Sequence, residues 1–243
     1  ELTLYSPAMT GDYSFRWSSA DDMPLRAAFW GNRTLALGCV SPSGGAMGST
    51  IYIFATNRGP QRAQQAAIRV EGAIPLQMHY VAQNRLLVIY NTGYAAIYNG
   101  AGEEVARYEY GGGQPYAADV RDGCVALLFG AGAQAGARLV VLDAQLQEQG
   151  SAVLPKASDA QVLASRNAVY VLEGQQVLAY SREGAGLGSH ILTGKPYGLV
   201  WGSIPLVVSA DDVRELAYLL EQQQDEPPNV PSSAPVGQSA GAT

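Results

Sequence analysis

The sequence predicts an all-β protein built from a repeated unit of about 40–45 residues. Five segments begin in the same way, at Pro24, Pro75, Pro115, Ser158 and Pro196, and each reads as a strand, a two-residue turn and a second strand. The first four openings are followed by a third, apolar strand and a fourth, more polar strand. A period of this length with four strands per unit is typical of a β-propeller, in which small antiparallel sheets stand side by side around an axis.

The clearest repeat spans residues 75–110, where we predict strands at 76–81, 85–90, 94–98 and 104–110. The turns between these strands are rich in Asn and Gly, which tolerate the positive φ that tight hairpins require. Residues 86–90 read Leu-Leu-Val-Ile-Tyr and are apolar without alternation. This pattern predicts a strand that is covered on both faces.

The two ends of the chain complement each other. Residues 2–6 and 13–17 resemble a third and a fourth strand, whereas residues 196–208 supply a first and a second. We therefore expect five blades over residues 1–208, with one composite blade that joins the termini and removes free sheet edges. The alternative is a fragment of a six- to eight-bladed propeller, because the sequence starts at Glu1 without a methionine.

The period changes after residue 208. Ser209 is a suitable N-cap, and the acidic pair at 211 and 212 lies in the first turn of a predicted short C-terminal helix, residues 209–221. The alternative is a third strand over residues 214–219. Residues 222–243 are rich in Pro, Ser and Gln, so we predict a disordered tail. In the first repeat, the Gly- and Ser-rich residues 41–49 are interpreted as a loop insert.

Composition excludes several classes of partner. The net charge is −6, and lysine occurs only at positions 156 and 195, so neither nucleic acid nor an anionic membrane surface is an expected partner. No run of about 18 apolar residues is present, so no segment of this chain is expected to enter a membrane. We expect an anchor or a signal upstream of Glu1. Cys39 and Cys124 are interpreted as small buried hydrophobic residues rather than a disulfide.

Acidic side chains are the candidates for chemistry. Asp21 and Asp22 precede the first innermost strand, and Asp119 lies within another. Two carboxylates facing each other across a channel would suit glycoside hydrolysis. The alternative is a solvated loop pair and one acid that lines the channel. No cofactor, metal ligand or catalytic residue is assigned, because no convergent His, Cys or Asp spacing exists.

Two tyrosines are the other candidates for binding. Tyr116 and Tyr197 each follow a proline at the same position of the repeat, where Leu25 and Leu76 stand in two other blades. Position-matched residues of this kind commonly pack between blades. If they border the channel mouth instead, their rings can stack on a ligand such as a sugar.

The third strands and the turns after them carry a resemblance. Residues 97–99 read Ile-Tyr-Asn before Gly102, and residues 179–181 read Ala-Tyr-Ser before Gly184. This pattern resembles the quinoprotein-like and seven-bladed-type propeller repeats of bacteria. The resemblance implies an extracytoplasmic propeller of Gram-positive bacteria, tethered by an upstream membrane helix. The sequence departs from quinone-dependent dehydrogenases: it has no vicinal cysteine pair, and Trp17, Trp30 and Trp201 are interpreted as not sharing one blade position.

These observations favour a non-enzymatic scaffold or binding module. We expect a monomer at the cell envelope that presents loops of one propeller face, among them residues 18–23, 41–49, 111–114 and 130–137, to a protein or glycan partner. The alternative function is a carbohydrate-active or other small-molecule enzyme that uses acids at the central channel. The alternative location is the cytoplasm.

Overall fold

The structure of the protein is a computed structural model that describes residues 2–5, 13–43, 46–58, 63–111, 113–130, 137–154 and 160–217. In chain order its strands are β1 (Leu2–Tyr5), β2 (Tyr13–Trp17), β3 (Met23–Trp30), β4 (Thr34–Ser43), β5 (Ala46–Ala55), β6 (Gln64–Val70), β7 (Pro75–Ala82), β8 (Arg85–Tyr90), β9 (Tyr94–Asn99), β10 (Glu104–Glu109), β11 (Pro115–Arg121), β12 (Cys124–Phe129), β13 (Ala137–Leu142), β14 (Glu148–Leu154), β15 (Gln161–Ala164), β16 (Val169–Glu173), β17 (Gln176–Tyr180), β18 (Gly186–Ile191), β19 (Pro196–Trp201), β20 (Pro205–Ser209) and β21 (Val213–Glu215).

The strands form the antiparallel blades of a β-propeller, as predicted. Four blades have four strands each: β3–β6 (blade 1), β7–β10 (blade 2), β11–β14 (blade 3) and β15–β18 (blade 4). A three-stranded sheet, β19–β21, is blade 5, and β1 with β2 forms a two-stranded sheet. The first strand of each blade contacts the first strand of the next blade, so β3, β7, β11, β15 and β19 are the innermost strands.

Apolar side chains fill the spaces between successive blades. Alternate residues of one strand point to opposite sides: Leu86 and Val88 of β8 pack against blade 1, whereas Leu87 and Ile89 pack against blade 3. Both cores are closed, since Leu87, Val88 and Ile89 have 0% relative exposure. Cys39 and Cys124 are also fully buried, as expected, and neither forms a disulfide.

The tight turns follow the mechanism predicted from the sequence. In the β7–β8 turn, Asn84 adopts a φ of 56°. In the β11–β12 turn, Asp122 and Gly123 have φ values of 50° and 72°. Asn, Asp and Gly are the residue types that enter this left-handed region at low cost, which is why these turns could be placed from the sequence.

The turns between third and fourth strands repeat one arrangement in blades 2, 3 and 4. Asn99, Asp143 and Ser181 begin these turns, and the side-chain oxygen of each accepts hydrogen bonds from the backbone N–H groups two and four residues later. The residue three positions after each has a positive φ, for example 82° at Gly184. These local hydrogen bonds give a physical basis for the repeated residue pattern.

The composite blade predicted for the termini is wrong. β20 pairs with β21 and β19, whereas β1 pairs only with β2 among the described residues. Leu2, Leu4 and Trp17 pack instead on the face of blade 1 that is turned away from blade 2, against a core that includes Leu37 and Phe54. The reason is that β21 occupies the edge of β20 that β1 would have needed.

The helix predicted for residues 209–221 is wrong over its central part. Residues 213–215 form β21, which agrees with the alternative of a third strand over residues 214–219 only at 214 and 215, since the strand begins one residue earlier and ends four residues earlier. Val208 pairs with Val213, and Leu216 is buried between blades 4 and 5. Helical backbone is described only at Leu216 and Ala217, and the remainder of the predicted helix and the tail at 222–243 lie outside the described residues.

The loop predicted for residues 41–49 is largely a β-hairpin. β4 extends to Ser43 and β5 begins at Ala46. Between them, Ser41 of β4 pairs with Gly48 of β5. Ser49 and Thr50 are buried, so this segment belongs to the sheet of blade 1. Residues 44 and 45 lie outside the described residues.

Truncation of Leu87 tests the packing between blades 2 and 3. Because the side chain is fully buried, Leu87→Ala should lower the free energy of unfolding by about 2–5 kcal/mol. Leu187→Ala is the matched control, since Leu187 is 46% exposed on β18 and should change stability by less than about 0.5 kcal/mol. The measurement is the urea midpoint, and equal midpoints for the two variants would contradict the assigned register.

Candidate functional site

The innermost strands contact one another in the order β3, β7, β11, β15 and β19 and run in the same direction along the propeller axis, so the axis has two distinct ends. The upper mouth lies at the first residues of β3, β7, β11, β15 and β19, and the lower mouth lies at their last residues. The loops that enter the first strands meet at the upper mouth, and the turns between first and second strands meet at the lower mouth.

Side chains of the innermost strands connect neighbouring blades by hydrogen bonds. Arg26 Nε donates to the carbonyl oxygen of Leu76 at 2.6 Å, which joins blades 1 and 2. The backbone N–H of Ala164 donates to Asp119 Oδ2 at 2.8 Å, which joins blades 3 and 4. Asp119, predicted to line the channel, therefore holds the backbone of the adjacent blade.

Asp22 is the most extensively bonded of the predicted site residues. Its carboxylate accepts hydrogen bonds from the hydroxyl groups of Ser19 at 3.1 Å, Tyr52 at 2.5 Å and Ser41. Partial burial by itself would raise the pKa of Asp22, but these three hydrogen bonds and the charge of Arg69 lower it below its ordinary value. The group is therefore an ionised acceptor, an arrangement that does not suit a general acid.

The bonds of Asp22 fix the loop between β2 and β3 to blade 1. Tyr52, whose ring centroid lies 5.2 Å from that of Trp17, has its pKa raised to about 12 by burial and by the hydrogen bond to Asp22. Asp21, the other predicted acid of this pair, is exposed, and its backbone N–H donates to Ser19 Oγ at 3.3 Å. The structure thus gives the two neighbouring acids different environments.

The two predicted tyrosines lie at matched places on the upper mouth. Tyr197 on β19 is 67% exposed and Tyr116 on β11 is 38% exposed. Tyr116 extends across the end of β12, since a Cβ added at Gly130 would lie 3.6 Å from its ring. Leu25, at the same position of blade 1, is also 39% exposed. The structure therefore places apolar and aromatic surface at this mouth in three blades.

A small cleft lies beside the upper mouth, between blades 4 and 5. Its volume is about 120 Å³, and residues lining it include Thr193, Gly194, Ser209, Asp211 and Arg214. Pockets for drug-sized ligands measure roughly 300–1,000 Å³. The cleft therefore suits a small polar group better than a sugar or a cofactor.

The innermost strands also carry one histidine. His79 lies on β7, and its Nε2 is 3.4 Å from Gln77 Oε1. Burial lowers the pKa of His79, although the charge of Asp119 acts to raise it. No group of three His, Cys, Asp or Glu side chains able to hold a metal ion occurs in the described ranges.

The lower mouth was not singled out by the sequence analysis. Trp30 and Trp201 are each the last residue of an innermost strand, paired with Thr34 and Pro205 respectively, so these two share a blade position. Trp17 ends β2, so the three tryptophans together do not share one position. Arginines stand in or beside the first–second turns of blades 1 to 4, at positions 33, 85, 121 and 166. The signal was present in the sequence as an arginine within three residues of four of the five turns.

One contact crosses the lower mouth. The guanidinium carbon of Arg121, at the end of β11, lies 4.1 Å from the ring centroid of Trp201, at the end of β19. These strands belong to blades 3 and 5, so the cation–π contact spans blade 4. Side chains from non-adjacent blades therefore meet at this end of the channel.

Comparisons with known proteins support the fold. No family model and no curated protein matches the chain. Among solved structures, BamB from Moraxella catarrhalis is similar with a TM-score of 0.50 and 13% identity over 88% of this chain and 76% of that chain. BBS1N, solved in complex with ARL6DN, gives a TM-score of 0.51 and 17% identity over 75% and 73% of the two chains. The Dos1 propeller gives a TM-score of 0.61 and 13% identity over 86% and 60%.

Neutralisation of Asp22 tests whether its role is structural. Asp22→Asn should lower the free energy of unfolding at pH 7 by about 1–2 kcal/mol, because charge-assisted hydrogen bonds to Ser41, Tyr52 and Ser19 are weakened. The folded pKa of Asp22 is depressed, so its contribution is present above the unfolded pKa of about 3.9 and is lost as the pH falls through the folded value. Urea unfolding from pH 3 to pH 7 measures this difference. Asp21→Asn is the control, and an equal loss in both variants would refute the assignment.

Proposed function

We propose that the protein is a non-enzymatic scaffold that binds a protein partner through the upper mouth of its propeller. The observation that carries this proposal is the exposure of Tyr197 and Tyr116, 67% and 38%, at matched positions around one opening. Tyrosine is enriched at the centres of protein interfaces because it combines a large apolar ring with a polar hydroxyl. Asp21 and the exposed Leu25 extend the same surface to blade 1.

The environments of the acidic side chains in this region favour a binding protein over an enzyme. Asp22 belongs to blade 1 and is bonded to three hydroxyl groups, whereas Asp119 belongs to blade 3 and accepts from the backbone of blade 4. A glycosidase needs two carboxyl groups that face one substrate bond, one of them able to donate a proton. The alternative of a carbohydrate-active enzyme with acids at the channel therefore has less support.

The fold itself is compatible with a protein partner. BBS1N, a propeller similar in fold, has been solved in complex with ARL6DN. Blades present loops and strand ends from a rigid support, which reduces the entropy lost when a partner binds. A glycan partner would use the same tyrosine rings for stacking, and the experiment below distinguishes the two.

We also propose that the protein acts at the bacterial cell envelope as a monomer. The support is the resemblance of its repeats to extracytoplasmic propellers. No helix in the described part of the chain is long and apolar enough to cross a membrane. Protease accessibility of the full-length gene product in intact cells tests the location, and light scattering of the purified chain tests the monomer.

Photo-crosslinking tests the upper mouth as a binding surface. A photoreactive phenylalanine in place of Tyr197 should give one discrete crosslinked protein in source cells, since this side chain is exposed at the proposed interface. The same group in place of Ile191, 70% exposed on β18, is the matched control. The measurement is the crosslinked band and its identity by mass spectrometry.

Two outcomes of that experiment would contradict the proposal. Equal crosslinking from positions 191 and 197 would show that exposure alone accounts for the product. A glycan on an array that is bound by wild type and lost in Tyr197→Ala, without any crosslinked protein, would assign the mouth to carbohydrate.

A further inference from the structure

The lower mouth concentrates positive charge in a chain of net charge −6. Arg33 and Arg166 lie in the β3–β4 and β15–β16 turns and are exposed, Arg85 begins β8, and Arg121 ends β11. The topology places these positions at one end of the propeller axis, because each innermost strand contacts that of the next blade and each first–second turn follows the last residue of such a strand. Asp122 is the carboxylate of the described first–second turns, whereas Glu103, Asp143 and Glu183 lie two strands further from the axis, in the third–fourth turns of the same face.

These arginines differ in their partners from three arginines on outer strands. Arg107 pairs with Glu104 at 2.7 Å, Arg138 with Glu148 at 3.5 Å and Arg214 with Asp212 at 2.6 Å. Within the part of the chain that the structure describes, no hydrogen bond or ion pair is made by the guanidinium groups of Arg33, Arg85 and Arg166. Positive charge at the lower mouth is therefore available to a ligand.

Aromatic surface accompanies this charge. Trp30 is 39% exposed at the end of β3, and its ring centroid lies 6.2 Å from that of Tyr80. In blade 5, Ile204 is 38% exposed in the turn after Trp201. Trp, Tyr and Arg are the residue types that contribute most to binding energy at protein interfaces.

We propose that the lower mouth is a docking site for an acidic protein segment. The planar guanidinium groups of Arg33, Arg85 and Arg166 would pair with its carboxylates in bidentate fashion, while Trp30 and Ile204 contact its apolar side chains. An acidic peptide fits the small number of arginines and their arrangement around one opening. A nucleic acid needs an extended basic track that follows successive phosphates, which four arginines around one opening do not form.

The inference assigns a second surface and a partner chemistry to the proposed scaffold, and it rests on that binding role. It differs in place, because Tyr197 and the arginines lie at opposite ends of β19 and its neighbours. Failure of one site therefore leaves the other testable.

Peptide binding by the purified chain tests the proposal. The probe is a fluorescein-labelled ten-residue peptide of glutamate, measured by anisotropy at about 50 mM salt, where charge attraction is weakly screened. Arg33→Glu with Arg166→Glu should weaken its affinity at least about tenfold, because like charges then face the ligand. The control, Arg138→Glu with Lys195→Glu, makes the same change in net charge away from the lower mouth. Its affinity for the peptide should stay within about twofold of wild type.

Further readouts separate docking from loss of folding. If the variant with Arg33→Glu and Arg166→Glu unfolds, a second variant is used, Arg33→Gln with Arg166→Gln. It only removes the two charges and should still weaken peptide binding about threefold. Binding should also change tryptophan fluorescence in wild type, with a smaller change in Trp30→Phe. No binding to wild type, equal weakening in the control, or an equally tight ten-nucleotide oligothymidine would each overturn the proposal. The Tyr197 crosslink should be unchanged in both arginine variants.

Discussion

The structure depends on sheets that are apolar on both faces. A four-stranded blade has too little core of its own, so it is stable only when another sheet covers each side. β8 and β12 show this constraint most clearly: all residues of β12 are buried, and consecutive residues of β8 enter different cores. Each blade is thus the support of its neighbours, and the stacking continues around an axis. The two-stranded sheet β1–β2 serves the same need, because it covers part of the face of blade 1 that is turned away from blade 2.

This packing limits where function can reside. Side chains between blades are committed to the cores, so exposed groups that can meet one partner are gathered at strand ends and turns. Polar groups of the innermost strands also connect neighbouring blades by hydrogen bonds. Arg26 donates to the carbonyl oxygen of Leu76, and the N–H of Ala164 donates to Asp119. Gln161 adds a third connection, since its Oε1 accepts from the N–H of Leu199 at 2.9 Å. Polar bonds of this kind fix the relative positions of blades that apolar contacts alone would leave able to slide.

The two mouths consequently have different chemistry. The upper mouth combines tyrosines and leucine with the acidic pair at 21 and 22, of which Asp22 is fixed by hydroxyl groups. The lower mouth combines arginines with indole rings, and the Arg121–Trp201 contact crosses it. The three solved structures compared above share 13–17% identity with this chain, so their similarity concerns the backbone and leaves these side chains as the basis for a functional assignment.

The sequence by itself determined the repeat, the all-β class and the hairpins of residues 75–110, because these depend on local rules. Asn84, Asp122 and Gly123 adopt the positive φ that their residue types permit, and residues 86–90 are buried as their uniform apolarity predicted. Tertiary structure alone decided which strand pairs with β20, since β1 and β21 both offered a compatible edge. It also decided that Asp22 and Asp119 are acceptors in structural hydrogen bonds, whose donors Ser41, Tyr52 and Ala164 are 19 to 45 residues away. The arginines of the lower mouth were visible one by one in the sequence, but only the stacking of successive blades places four distant turns at one end of the propeller axis.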